Sequence, residues 1–252
     1  QAAVGAALLG ALSWNLLTLL WGLPTSSSHA LLGGLVGAAM AQGGTEAVKL
    51  HGLMTVLQAL LFSPFIGSVV GYLILLAIYR TTLRAARGKA NLVFRRLQLV
   101  SASLMAFSHG SNDAQKVMGI ITLALVSGGM LESVEVPRWV IMSCALAMGL
   151  GTILGGWRII RTLGMRIVKM EPVHGFAAET SAAVILLGTA HFGLPVSTTH
   201  TMASSIMGVG SVMRFSAVRW GVTMRIVSAW MFTLPTAATV AYVVNPLFQA
   251  IR

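Results

Sequence analysis

Long apolar stretches alternate with short polar segments along this chain. Residues 2–20 are apolar and rich in small side chains, and a second apolar arm runs on to about residue 40. A polar segment at 42–50 precedes a long apolar span at 53–79, in which Pro64 predicts a kink. Residues 97–126 read as one crossing interrupted by His109-Gly110-Ser111-Asn112-Asp113. Residues 127–137 carry Glu132 and Glu135, residues 139–160 read as the return span, 176–212 as a further apolar region broken near its middle, and 220–244 as the last span. Windows of about 20 nearly uncharged residues are long enough to cross a bilayer as helix. The alternating pattern of a transmembrane barrel is absent from the sequence. The pattern predicts an all-α polytopic membrane protein.

Two of the apolar regions are interrupted by the same eight-residue pattern. Gly22-Leu23-Pro24-Thr25-Ser26-Ser27-Ser28-His29 recurs 171 positions later as Gly193-Leu194-Pro195-Val196-Ser197-Thr198-Thr199-His200. Proline disfavours helix in the residue before it, so the incoming helix should stop near Leu23 and near Leu194. Ser and Thr then stand where a new helix begins, as N-cap residues do. Each copy therefore reads as helix, break, helix. Free backbone N–H groups, hydroxyls and the positive end of the helix dipole meet at such a break, a combination that suits an anion.

Charge fixes the orientation of these spans. The chain carries 17 Lys plus Arg against six Asp plus Glu, a net charge of +11. Only 9% of its residues are charged, where a soluble domain carries about 25%. In a soluble protein such a balance would point to nucleic acid. Here the basic residues fall between the spans: Arg80, Arg84, Arg87, Lys89, Arg95 and Arg96; then Arg158, Arg161, Arg166 and Lys169; then Arg214, Arg219 and Arg225. That is the positive-inside pattern, so these segments are assigned to the cytoplasm and no nucleic-acid partner is expected. Traced back from residue 80, the segment 42–50 lies outside, and the first broken region enters from outside while the second enters from the cytoplasm. The expectation is an inverted-topology repeat of re-entrant hairpins whose breaks meet near the midplane, as in secondary transporters. Residues 1–79 are then the C-terminal part of the first inverted repeat, 80–96 a basic cytoplasmic linker, and 97–252 the second inverted repeat. The opening at Gln1, directly in an apolar run, reads as a fragment whose N-terminal portion is missing.

Within the spans, few residues carry chemistry. Asp113 is a carboxylate at membrane depth, where a charge costs roughly 2.5–3.5 kcal/mol on insertion scales and is paired or functional. Gly110, Ser111 and Asn112 are expected to break the helix and free carbonyl groups, making a site for a hard cation such as Na⁺. The structural alternative is an ion pair with Lys116 on the same helix face, and Lys116 could also neutralise an anion. Glu179, flanked by Thr180 and Ser181, is a second buried acid that could bind a coupling cation or carry a proton, unless it lies close enough to the surface to be hydrated. His29 and His200 are read as structural parts of their motifs; with His109 and His191 they match no zinc spacing. The lone Cys144 allows no internal disulfide and is read as a small packing residue. No catalytic residue, metal ligand or cofactor is expected. These residues leave open a secondary transporter for a tetrahedral oxyanion, a passive anion channel, and an intramembrane serine hydrolase. The hydrolase is weakened because Ser28 and His29 are adjacent, and adjacent helical side chains do not face each other.

The run Phe107-Ser108-His109-Gly110-Ser111-Asn112-Asp113-Ala114-Gln115-Lys116 resembles the Gly-Ala-Asn-Asp signature of the inorganic phosphate transporter (PiT) family, bacterial low-affinity type. The two Gly-Leu-Pro segments, Glu179 within Ala178-Glu179-Thr180-Ser181-Ala182, and the stretch from Trp230 to Pro235 also resemble that family, in the same order. The resemblance implies a symporter taking up inorganic phosphate, free or as a metal–phosphate complex, across the plasma (inner) membrane, with Na⁺ or H⁺ as coupling cation. It leaves monomer or homodimer, and phosphate or sulfate, open. It also implies a first signature copy preceding Gln1. The Ala-Gln-Lys that follows Asn112-Asp113 departs from the Val-Ala-Asn of many sodium-coupled members and puts Na⁺ in doubt. On this reading Ser26, Ser27, Ser28, Asn112, Ser197, Thr198 and Thr199 bind the substrate, and Asn112, Asp113 and Glu179 bind the coupling ion.

Overall fold

The computed structural model describes residues 1–82, 87–194 and 196–250. Arg84 of the basic segment and Pro195 of the second motif lie outside the described residues, as do the side chains of Arg87 and Lys89. Helices α1 (Ala2–Trp21), α2 (Ser27–Gly43), α3 (Leu50–Thr82), α4 (Arg87–Ser127), α5 (Arg138–Leu154), α6 (Trp157–Arg161), α7 (Pro172–His191), α8 (Thr198–Met213) and α9 (Trp220–Ala250) make up the fold, with no strand among the described residues. Four of them, α1, α3, α7 and α9, are long and apolar enough to cross a membrane. The 41-residue α4 spans about 61 Å at 1.5 Å per residue, twice the hydrocarbon thickness. The polar run from Ser108 to Lys116 sits inside it and divides its apolar stretches.

The repeat extends beyond the motifs. The succession α1, break, α2, a 3-10 turn at Thr45–Ala47, then α3 recurs as α7, break, α8, a 3-10 turn at Phe215–Ala217, then α9. Pro64 lies inside α3 where Pro235 lies inside α9, again 171 positions apart.

The chain forms two compact units. One contains Gln1–Leu53, Gly110–Arg158 and Val227–Arg252; the other contains Met54–His109 and Ile159–Ile226. In the first unit α1, α2 and α9 meet through small side chains. Ala6, Ala7, Ala38 and Ala241 form one buried cluster, and Ala11, Trp14, Ala30 and Ala237 another. Gly33 and Gly37 of α2 lie against the backbone of α9 at Leu234 and Ala238, so close that a Cβ at either would strike a carbonyl. In the second unit Gly67 and Gly71 of α3 lie against Ser204 and Ser205 of α8, and Gly208 lies against the Ser68 carbonyl. Lipid offers no hydrophobic drive to associate helices, so close backbone approach through small residues supplies the packing. The large side chains turn the other way: Leu8, Leu12, Leu16 and Leu20 form one exposed stripe along α1, while Ala7, Ala11, Trp14 and Thr18 are buried.

Two expectations are corrected. The helix does not break at His109–Asp113; α4 runs through these residues without interruption. A glycine inside a helix costs about 1 kcal/mol, whereas each unsatisfied backbone group in hydrocarbon costs several, so the helix persists and frees no carbonyls there. The return span at 139–160 is broken: α5 and the helical segment Trp157–Arg166 meet at a bend of 61°. The break falls at Gly155-Gly156, where Gly156 takes a φ of 88° open to glycine. Pro64, in contrast, is carried inside a continuous α3.

Candidate functional site

Each motif closes one helix and opens the next with matching hydrogen bonds. Gly22 adopts a left-handed conformation with φ 68°; its N–H donates to the Leu19 carbonyl at 3.1 Å and the Leu23 N–H donates to Thr18 at 2.9 Å. Gly193 repeats this with φ 65°, its N–H donating to Ala190 at 3.1 Å and the Leu194 N–H to Thr189 at 2.9 Å. Both are Schellman closures, which need glycine at the left-handed position. Ser26 then caps α2 from extended backbone, its Oγ accepting the His29 N–H at 3.3 Å. Ser197 caps α8 in the same way, accepting the His200 N–H at 3.2 Å. The sequence placed both helix ends and both caps correctly, and the two cap hydroxyls are buried.

The first break is held by side chains from distant parts of its own unit. The Trp230 indole Nε1–H donates to the Pro24 carbonyl at 2.9 Å, and Arg158 Nη1 donates to the Leu20 carbonyl at 2.6 Å. The Thr18 and Thr25 hydroxyls lie 2.8 Å apart. Trp14 Nε1 donates to Thr233 Oγ1 at 3.0 Å, tying α1 to α9. An indole N–H in an apolar span must find an acceptor, and that requirement was the signal available in the sequence; its partner, some 200 residues away, was not. Trp230→Phe removes the donor and, because the side chain is buried, also leaves the space of the lost pyrrole ring empty. We expect it to lower thermal stability by about 2 kcal/mol, the lost hydrogen bond and the lost packing together, and to reduce transport, as measured by melting in detergent and by uptake.

At the start of α2 a polar cluster joins it to α4. Lys116 Nζ donates to Ser28 Oγ at 2.8 Å and lies 3.5 Å from Asp113 Oδ1. Asn112 is buried beside them in sequence, Ser28 is partly exposed and Ser27 is exposed. The structure therefore brings Ser28 and Asp113 together through Lys116. Ser26, Ser27, Ser28, Asn112 and Asp113 belong to the first unit; Ser197, Thr198, Thr199 and Glu179 belong to the second.

Glu179 has a different environment. Its carboxylate accepts the Ser101 hydroxyl at 2.6 Å and Gln98 Nε2 at 3.4 Å, both from the first part of α4. Its sequence neighbour Ser181 bonds back to the Ala177 carbonyl at 2.6 Å. Glu179 lines a pocket of about 480 Å³ together with Gln98, Glu171, Gly175, Met202 and Ile206. At the start of α7, His174 Nδ1 accepts the Glu171 N–H at 2.9 Å, and its Nε2 lies 2.7 Å from Tyr79 Oη of α3. With Nδ1 accepting, a neutral His174 donates from Nε2 to the tyrosine oxygen. Ser101, Gln98, Tyr79 and His174 carried no sequence pattern that singled them out. Among the described residues no group of three or more His, Cys, Asp or Glu is placed to hold a metal ion.

Comparison with known proteins shows what the chain as a whole is similar to. The profile of the phosphate transporter family matches residues 1–241. The chain is 48% identical over 237 residues to a protein of Rhizobium meliloti (strain 1021), covering 94% of this chain and 71% of the relative. It is 45% identical over 249 residues to one of Bacillus subtilis (strain 168), covering 96% and 74%. Both are named probable low-affinity inorganic phosphate transporter. A solved structure titled "The sodium-dependent phosphate transporter" superposes with a TM-score of 0.86 at 22% identity, covering all of this chain and 80% of its own, a likeness of fold. Nearly the whole length of the chain, both broken-helix motifs included, lies within the profile match, and the chain belongs to the phosphate transporter family.

Proposed function

We propose that this protein moves inorganic phosphate across the plasma membrane in symport with a cation, using its two hydroxyl-capped helix starts to bind the anion. The coarser statement stands on the family: this is a multi-pass membrane transport protein for phosphate, and it is not an enzyme. Ser26, Ser27 and Ser28 at one break, Ser197, Thr198 and Thr199 at the other, and Asn112 donate to phosphate oxygens. Asn112, Asp113 and Glu179 serve the coupling cation. The two copies insert from opposite faces, residues 1–79 and 97–252 forming the two repeats and 80–96 the cytoplasmic linker.

The observation that carries this reading is the doubled break. Two Schellman closures and two serine caps 171 positions apart leave the first N–H groups of two helices beside hydroxyls, and an oxyanion matches both the donors and the dipole. The duplication suits a carrier; a hydrolase needs one nucleophile. Ser28 Oγ, moreover, is engaged by Lys116.

Labelled-phosphate uptake into proteoliposomes, with Na⁺ and pH gradients imposed separately and sulfate as competitor, tests the proposal. Uptake driven by one gradient and resistant to sulfate is expected; uptake indifferent to both gradients would refute symport, and full competition by sulfate would widen the substrate to oxyanions generally. Ser197→Ala is expected to raise the apparent Kd for phosphate about tenfold, and Ser197→Thr, which keeps a capping hydroxyl, to restore most of it. An unchanged affinity in Ser197→Ala would confine that hydroxyl to capping.

A further inference from the structure

We propose that Lys116 is the resident counter-cation of Asp113, a tethered charge that takes the position an inorganic coupling cation would otherwise fill. The inference revises one role in the transporter reading above, taking Asp113 from the coupling cation and leaving that ion to Asn112 and Glu179, and it rests on that reading for the identity of the anion. It starts from the unequal treatment of the two carboxylates within the spans. Glu179 is held by neutral donors, the Ser101 hydroxyl and the Gln98 amide. Asp113 instead has an ammonium 3.5 Å from Oδ1, and the two side chains are largely withdrawn from solvent, Lys116 being 27% and Asp113 13% exposed.

The ammonium is also fixed from its far side. Ser28 Oγ accepts from it at 2.8 Å, and Ser28 is the second residue of α2. A positive charge at a helix N-terminus opposes the dipole, so Lys116 gains nothing there from the helix and is retained by the Asp113 carboxylate and the Ser28 oxygen. The i,i+3 spacing on a continuous α4 makes the pairing a built-in property of that helix, independent of any ligand. A sodium ion at Asp113 would need to displace the ammonium or share the carboxylate with it, and like charges at that separation in a low-dielectric site repel strongly. The same ammonium at the start of α2 adds a donor where the proposed oxyanion binds.

Sodium binding to the purified whole transporter, measured without phosphate, tests the assignment independently of transport. The wild type is expected to show no sodium-induced thermal shift that Asp113→Asn abolishes. Lys116→Gln, and Lys116→Met should the first variant fold poorly, are expected to gain a saturable sodium-induced shift that is lost again on adding Asp113→Asn. Lys116→Arg, which keeps a tethered charge, should stay insensitive. In proteoliposomes the neutral variants should show at least fivefold more phosphate uptake in sodium than in choline, with the wild type changing less than twofold. Asp113-dependent sodium binding by the wild type, or neutral Lys116 variants that remain sodium-insensitive in the binding assay, would overturn the proposal. Phosphate uptake absent from the wild type, with the sodium-binding pattern intact, would overturn the transport reading and leave the ion-pair assignment standing.

Discussion

Asp113→Asn is expected to abolish phosphate uptake while the protein remains folded in the membrane. The substitution keeps the shape of the side chain, removes its charge and replaces one acceptor oxygen by an NH₂ donor. Lys116 is then left beside Ser28 without the carboxylate at 3.5 Å that balances it. An uncompensated ammonium at membrane depth costs roughly 2.5–3.5 kcal/mol on insertion scales, enough to move the side chain out of position. A factor of about 100 in rate corresponds to about 2.7 kcal/mol, so uptake should fall into the background. Adding Lys116→Gln removes the stranded charge, so the double variant should recover the stability lost by the single one without recovering coupled uptake. Cation-dependent uptake surviving in Asp113→Asn would remove the carboxylate from the mechanism.

The breaks were legible because their chemistry is local. A proline that disfavours helix before it and a serine that begins one act within eight residues, and both copies break and restart where those residues stand; the left-handed glycine that closes each helix is a local signal the proline reading did not use. The interruption expected at Gly110 failed for the opposite reason. Glycine, serine and asparagine favour turns in water, where freed carbonyls are solvated; within a span the same residues remain helical because nothing else satisfies the backbone. The partners of Glu179 could not be read, since Ser101 is 78 positions away and is one of many serines. The ion pair of Asp113 with Lys116 could, because i,i+3 neighbours share a helix face.

Helix faces escaped hydropathy for a related reason. Along α1 the exposed side is Leu8, Leu12, Leu16 and Leu20 and the buried side is Ala7, Ala11, Trp14 and Thr18, so both faces are largely apolar. Polarity distinguishes a core from water; in lipid it is side-chain volume that distinguishes the packed face from the free one. The periodicity of Ala and Gly, present in the sequence at Gly33 and Gly37 and at Gly67 and Gly71, is the informative signal.

That logic sets the largest expected stability effect, at Gly37. A Cβ added there would overlap the Ala238 carbonyl of α9, a backbone atom of a packed helix that cannot rotate aside. Gly37→Leu must therefore push α2 away from α9, and α2 carries Ser26 and Ser28 at its start, so the capped break moves with it. Overpacking typically costs 1–3 kcal/mol where side chains can adjust; with a backbone carbonyl in the way, roughly 3 kcal/mol or more is expected, and with it loss of monodisperse protein in detergent and of uptake. Gly110→Ala provides the contrast. A Cβ at Gly110 meets no atom of the described residues within 4 Å, and the residue lies inside a continuous helix. Alanine there should raise stability by up to about 1 kcal/mol, because it relieves the helical cost of glycine. Thermal melting of the two variants separates packing from propensity. A destabilised Gly110→Ala would show that α4 must open at that point, and a tolerated Gly37→Leu would show that α2 and α9 do not depend on close backbone contact.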